Sequence, residues 1–317
     1  MKTGDSSRGL FADRIQDVPR SFIREILKVT TDKSMISFAG GLPNRQYFPV
    51  EQLKESTNRV FDTYATDSLQ YSNSEGLREL RECISERYRV EQKISVPPER
   101  ILITNGSQQA LDLIAKVTVN NGDPVLIEEP GYLGAIQALS LYRPRFIPVQ
   151  VDDYGMDVSC LKRAINEAPK LLYTVPNFQN PSGISYSDEN RRSIAETLQS
   201  SACLLIEDDP YGALRFEGEP VGSFHHLIPD QTILLGSFSK TVVPGFRLGW
   251  VAPPEKLFDK LLIAKQASDL HTCNFTQYVI LDFLTNNRVE EHLKKIRIAY
   301  GNQCRAMAVS YTHLTLP

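Results

Sequence analysis

Between residues 101 and 252 the chain repeats one pattern, a short apolar run, a polar turn and then a stretch of helical character. Ile101-Leu102-Ile103-Thr104, Val125-Leu126-Ile127, Leu171 to Pro176, Cys203-Leu204-Leu205-Ile206, Thr232-Ile233-Leu234-Leu235 and Leu248 to Ala252 are runs of strand length. Strands this apolar are covered on both faces. The alternation therefore predicts an α/β fold of three layers, αβα, with a mostly parallel sheet. Helical spacing before it (Leu53, Val60, Phe61, Tyr64, then Leu77, Leu80, Ile84, Tyr88) and after it (254–268, 275–284, 289–307) supplies further helices. Ligands of such sheets gather beyond the carboxyl ends of the strands, and the polar signals of this chain stand at those ends.

The loop from Gly236 to Trp250 joins two apolar runs and carries Lys240. Burial disfavours the ammonium form and lowers the amine pKa, and Arg247 nearby would lower it further. An amine so prepared condenses with an aldehyde. Ser237, Ser239 and Arg247 offer donors suited to a phosphate, with Gly245 and Gly249 permitting close backbone approach. Strand, Asn105-Gly106 turn and helix start form a second anion site, because free N–H groups and the helix dipole face the ligand at Ser107 and Gln108. Read alone, Ser107 could equally be a helix cap. Tyr132, after Glu128-Glu129-Pro130-Gly131, could cover an aromatic ring or simply pack. Asn180-Pro181-Ser182-Gly183 is ordinary turn chemistry. A carboxylate of Glu207-Asp208-Asp209, closing an apolar strand, needs a partner if buried. A protonated pyridine nitrogen would serve, and without one the pair reads as a turn with solvated acids.

Together these strings resemble, in the same order and from about Ile23 to about Arg305, the pyridoxal-phosphate aminotransferases of fold type I. The similarity is strongest to the group holding 2-aminoadipate and kynurenine aminotransferases and the effector domains of MocR-type regulators. The resemblance implies an N-terminal arm and helix at 1–45, a large pyridoxal-phosphate domain at 46–287 and, at 288–317, the start of a small domain that is incomplete. Ser310 to Pro317 does not continue the helical pattern, and the family's arginine for the substrate α-carboxylate has no counterpart.

The roles it implies are specific. Lys240 attaches the cofactor and moves the proton. Asp208 pairs with the ring nitrogen and is chosen over Asp209 because the family's aspartate and phenol-binding tyrosine lie three positions apart. Tyr211 is that tyrosine, and Asn180, from an N-P-T-G motif with Ser182 replacing threonine, shares its phenolic oxygen. Tyr132, from E-P-x-Y, covers the ring. Ser107, Gln108, Ser237, Ser239 and Arg247 hold the phosphate, with Tyr71 reaching in from the second subunit of a homodimer. Arg24, on a short amphipathic helix after Pro19, matches a contact to the substrate side-chain carboxylate. Gly41 matches a substrate-facing glycine. Ala264 to Thr272 is close to the aminoadipate-type subgroup, and His271 within it reads as a hydrogen-bonded interface histidine. The implied reaction moves an amino group between an amino acid (2-aminoadipate, glutamate, aromatic or branched) and a 2-oxo acid.

Composition narrows the rest. With 317 residues, 41% hydrophobic and 23% charged, the chain has the make-up of a soluble globular protein. A net charge of -3 without a dense basic run gives no reason to expect nucleic acid as a partner. The residues ahead of Ile23 are too few for a helix-turn-helix, so a regulator is the alternative rather than the reading. A chain that binds cofactor without turnover is another. The polar start and the absence of a membrane-length apolar run argue against a signal peptide or membrane span. Cysteines at 83, 160, 203, 273 and 304 without CxxC spacing suggest reduced thiols in the cytoplasm. No Cys/His cluster has ligand spacing, so no metal is expected.

Overall fold

The computed structural model describes residues 10–16, 18–20 and 41–315, with the backbone alone for 311–315. Arg24 and its helix lie outside the described residues. Strands β1 (Leu102–Thr104), β2 (Pro124–Glu129), β3 (Arg145–Asp152), β4 (Gly155–Met156), β5 (Leu171–Thr174), β6 (Leu204–Asp208), β7 (Thr232–Ser237) and β8 (Gly249–Ala252) line up in the order β1-β8-β7-β6-β5-β2-β3-β4. The five strands β7-β6-β5-β2-β3 are parallel neighbours. At the edges β8 runs antiparallel to both β7 and β1, and β4 antiparallel to β3. The sheet is thus mixed, with the expected parallel strands at its centre. The reversals fall where no crossover helix intervenes, since β7 and β8 are joined only by the Lys240 loop.

The main helices are α1 (Val50–Tyr64), α2 (Arg78–Arg87), α3 (Ser107–Thr118), α4 (Leu133–Ser140), α5 (Val158–Ala164), α6 (Asp188–Gln199), α7 (Glu255–Asp269), α8 (Asn274–Asn286) and α9 (Val289–Thr315), with a single helical turn at Asp13–Gln16 ahead of them. Alternation along the strands divides them between the two faces. Leu171, Tyr173, Leu204, Ile206, Ile233 and Leu235 pack in one cluster with Leu111, Leu113 and Ile114 of α3, Ala135 and Leu139 of α4 and Leu261 of α7. The intervening Leu172 and Leu205 pack on the other face with Leu161 of α5 and Ile194 and Leu198 of α6. Leu234, also out of phase, meets α2 and α8 through Leu80, Ile84, Ile280 and Phe283. Each fully buried Leu or Ile in these clusters contributes roughly 1.5–3 kcal/mol.

One expectation fails at the end of the described chain. The helix begun at Val289 does not stop near Met307 but runs through Ser310 to Thr315. Ser, Tyr and Thr cost a helix only a few tenths of a kcal/mol each, and no Gly or Pro stands between Met307 and Pro317. The first turns of α9 pack Leu293 and Ile296 against Leu214.

Candidate active site

The pleat decides which carboxylate faces which layer. Asp208 is in phase with Leu204 and Ile206, so it projects toward the α3 and α4 layer, whereas Glu207 is in phase with Leu205 and projects away. Asp208 is 2% exposed. Its Oδ2 accepts the hydroxyl of Tyr173, from the adjacent β5, at 2.8 Å. Its Oδ1 is buried with no hydrogen-bond partner among the described residues. Burial pushes this carboxyl up to about 6, Tyr173 drawing it down and the neighbouring Asp209 adding to the rise. A buried, half-satisfied carboxylate costs free energy, and its open oxygen asks for a donor, preferably a cationic one. Asp209 belongs to a different environment, accepting the Gly212 N–H at 2.8 Å and capping the turn behind β6.

Lys240 follows β7, the strand beside β6. Its pKa is lowered first by burial and then by the charge of Arg247. Its Nζ lies 5.8 Å from the centre of the Tyr211 ring, and the Tyr211 hydroxyl accepts the amide of Asn180 at 3.3 Å. The structure therefore brings Lys240, Tyr211 and Asn180 together, with Asp208 three residues before Tyr211. Asn180 is held by its neighbour Gln179, whose amide donates to Glu128 at 2.9 Å and to the Pro130 carbonyl at 2.7 Å. Its carbonyl accepts from both the N–H and the hydroxyl of Ser182.

The anion cradle forms where the start of α3 meets the loop before β8. Gly106 caps the helix with φ +75°, and a Cβ there would come within 2.7 Å of the Arg247 Nη2 atom. The positive φ favours glycine there, and its missing side chain leaves that guanidinium room against the turn. Arg247 itself is exposed and takes a left-handed backbone, φ +53°. Ser107 opens the helix rather than capping it, so the N–H groups of Ser107 and Gln108 belong to the first turn, which lacks intrahelical acceptors. On the facing loop the Ser239 N–H donates to Ser237 Oγ at 3.0 Å, and the Ser237 hydroxyl donates to the Leu248 carbonyl at 3.4 Å. Gln108 donates to the Gly134 carbonyl at 2.9 Å, and the Tyr132 ring folds over Gly134, leaving no room for a Cβ there. That links the cradle to the start of α4.

Two expected residues are exposed in this chain. Tyr71 is 79% exposed, its ring edge-on to His271 at 5.8 Å. His271 Nδ1 is 2.9 Å from the Thr272 carbonyl. Gly41 is exposed, with no atom of the described residues within 4 Å of where a Cβ would sit. Sequence reasoning missed Tyr173, Glu128, Gln179 and Arg191. Glu128 accepts from Val175 N–H, Tyr186 and Gln179, yet burial still pushes it up to about 7. Arg191, 1% exposed, donates to Pro176, Asn177, Tyr186 and Gly222 and lies 3.8 Å from Glu207. Glu128 and Tyr173 were signalled only by a polar group in or at the end of an apolar run, whereas Gln179, in a polar turn, and Arg191, in a polar helix, carried no such signal.

The open Asp208 oxygen fits a protonated ring nitrogen, and the Gly106–Arg247 cradle fits a phosphate. An amine of lowered pKa and a buried carboxylate with one open oxygen at the carboxyl ends of adjacent strands, served by a glycine-lined anion cradle, are the arrangement of pyridoxal-phosphate enzymes built on an αβα sheet. The family model Aminotransferase class I and II matches residues 35–312, and the chain belongs to that family as a pyridoxal-phosphate-dependent transaminase acting between an amino acid and a 2-oxo acid. It is 40% identical over 305 residues to a 2-aminoadipate transaminase of Thermus thermophilus, covering 94% of this chain and 74% of that protein. It is 38% identical over 304 residues to aromatic-amino-acid aminotransferase 1 of Thermococcus litoralis, covering 94% and 73%. The crystal structure of Pyrococcus horikoshii kynurenine aminotransferase, in complex with PMP, superposes with a TM-score of 0.90 at 38% identity, over 96% of this chain and 77% of that one. Among the described residues no helix is long and apolar enough to cross a membrane.

Proposed function

We propose that the amino donor belongs to the 2-aminoadipate or aromatic class, in keeping with the relatives above, and that the residues gathered at the carboxyl ends of the strands divide the work as follows. When bound, the cofactor supplies the electron sink that makes a substrate Cα proton removable. The Lys240 amine, its pKa lowered by burial, attaches the cofactor and then takes and returns the proton at the substrate Cα as general base and acid. Asp208 supplies the negative charge for the ring nitrogen. Asn180 and Tyr211 orient on the phenolic oxygen, and Tyr132 covers the ring. Ser107, Gln108, Ser237, Ser239 and Arg247 receive the phosphate through N–H, hydroxyl and guanidinium donors.

The exposure of Tyr71 supports a homodimer in which it completes the partner's cradle. Arg24 and Gly41 are assigned to substrate. Residues 46–287 form the cofactor-binding body, the break between α8 and α9 at Asn287-Arg288 marking its end. The five cysteines are all free, which supports a cytoplasmic setting. The single observation carrying the reading is the open, buried Asp208 oxygen beside the strand that leads to Lys240. The test is borohydride reduction of the pyridoxal-phosphate-loaded chain with peptide mapping, followed by assay of 2-aminoadipate, glutamate and aromatic donors against a 2-oxo acid. A pyridoxyl adduct on Lys240 and transfer from an acidic or aromatic donor are expected. An adduct on another lysine would overturn the site, and an adduct without transfer from any donor would overturn the activity.

A further inference from the structure

Behind the Asn105-Gly106-Ser107 turn lies a polar cluster that the roles above do not use. Lys265, on α7, has no exposed surface, and a buried ammonium is tolerated only where its protons find acceptors. Here they do. Its Nζ donates to both oxygens of Asp269 at 2.7 Å, to Gln109 Oε1 at 3.1 Å and to Thr272 Oγ1 at 2.9 Å. Lys265 and Asp269 are four residues apart and so share a helix face. Asp269 Oδ2 also accepts the Asn105 amide at 2.6 Å and the Gln109 amide at 2.7 Å. Gln109 Oε1 accepts the Asn105 backbone N–H at 2.8 Å, and the Thr272 hydroxyl donates to the Ile103 carbonyl at 3.3 Å. One ammonium and one carboxylate therefore tie the end of β1, the turn and the first turn of α3 to the last turn of α7.

Stability alone does not call for such a cluster, because apolar side chains would fill the space without the desolvation cost of two charges. What the cluster does control is Asn105. Both its side chain and its backbone N–H are pinned, and the next residue is the glycine at φ +75° that lies against Arg247. The pinned residue sets the direction in which the N–H groups of Ser107 and Gln108 point. We propose that Lys265 and Asp269 are positioning residues, holding the Asn105-Gly106-Ser107 turn in the shape that receives the cofactor phosphate. This rests on the reading that the phosphate sits in the Gly106–Arg247 cradle.

The test compares binding of pyridoxal phosphate with that of pyridoxal, which lacks the phosphate, to the full-length cofactor-free chain. Lys265→Met is the direct variant. Should it fail to fold, with Asp269 left without its cation, Lys265→Met/Asp269→Leu removes both charges and carries the same comparison. The variant is expected to weaken pyridoxal phosphate by about tenfold or more and pyridoxal by less than about twofold, the scale of a cradle displaced by a fraction of an ångström. Arg247→Ala, which removes the cradle's own cation, should show the same selectivity. If Arg247→Ala is selective but the Lys265 variant weakens both ligands equally or neither, the positioning role is overturned. If Arg247→Ala is not selective either, the phosphate lies elsewhere and the inference falls with the reading beneath it.

Discussion

Asp208 shows how much one residue's surroundings decide. Tyr173 satisfies one of its oxygens, burial raises its pKa to about 6, and the other oxygen waits for a donor. Pairing with a ring nitrogen requires the carboxylate to be ionised. Affinity of the cofactor-free protein for pyridoxal phosphate should therefore fall as pH drops through about 6. Asp208→Asn keeps an acceptor for Tyr173 and removes only the charge. It should flatten that part of the pH profile and lower kcat about a hundredfold or more, the scale of losing a preorganised charge. Fluorescence titration of both proteins from pH 5 to 8 checks the first outcome, and steady-state assay checks the second. An unchanged profile would mean that the carboxylate does not face the ring.

At the scale of elements, β2 and the turn after β5 depend on one another through Glu128 and Gln179. Glu128, out of phase with Ile127, points to the layer opposite Asp208 and draws donors from Val175, Tyr186 and Gln179. Gln179→Ala removes one of those donors and frees Ser182 from its acceptor. Leaving a buried group short of a partner costs about 1–3 kcal/mol, which a shift in the urea midpoint would report. Since Asn180 is the next residue, the same variant should weaken cofactor binding although Gln179 is not assigned to the cofactor.

For the whole molecule, three buried carboxylates lie at the carboxyl ends of the central strands β2 and β6. Glu128 and Glu207 are raised to about 7 and Asp208 to about 6, each chiefly by burial. A carboxyl whose pKa is higher folded than unfolded keeps its proton in the fold at a pH where the unfolded chain has released it. Its contribution is therefore lost as pH rises from about 4 toward the folded value. Glu207→Gln abolishes one such loss, so thermal unfolding of the cofactor-free proteins should show the variant gaining on the wild type between pH 5 and pH 8. A constant difference would remove the linkage. The homodimer reading is tested at the same scale. The chain should sediment as a dimer, and Tyr71→Phe should loosen pyridoxal phosphate while leaving the dimer intact.

By itself the sequence determined the elements and their polar punctuation. Apolar runs had to become covered strands, Asn105-Gly106 had to turn the chain into a helix, and Lys240, Asp208 and Asn180 had to follow strands of one sheet. These are local consequences of burial and backbone sterics, legible in a few consecutive residues. The order of the strands, the reversal at β8 and the continuation of α9 to Thr315 were not legible in that way. Nor were the partnerships of Lys265 with Gln109 or of Tyr173 with Asp208, because each joins residues far apart in the chain. Which carboxylate of Glu207-Asp208-Asp209 faces the site was decided by the pleat, and which of its oxygens stays open by the neighbouring strand. Only packing in three dimensions sets the depth of burial and the donors within reach, and those two quantities turn an acid at a strand end into a partner for a cation.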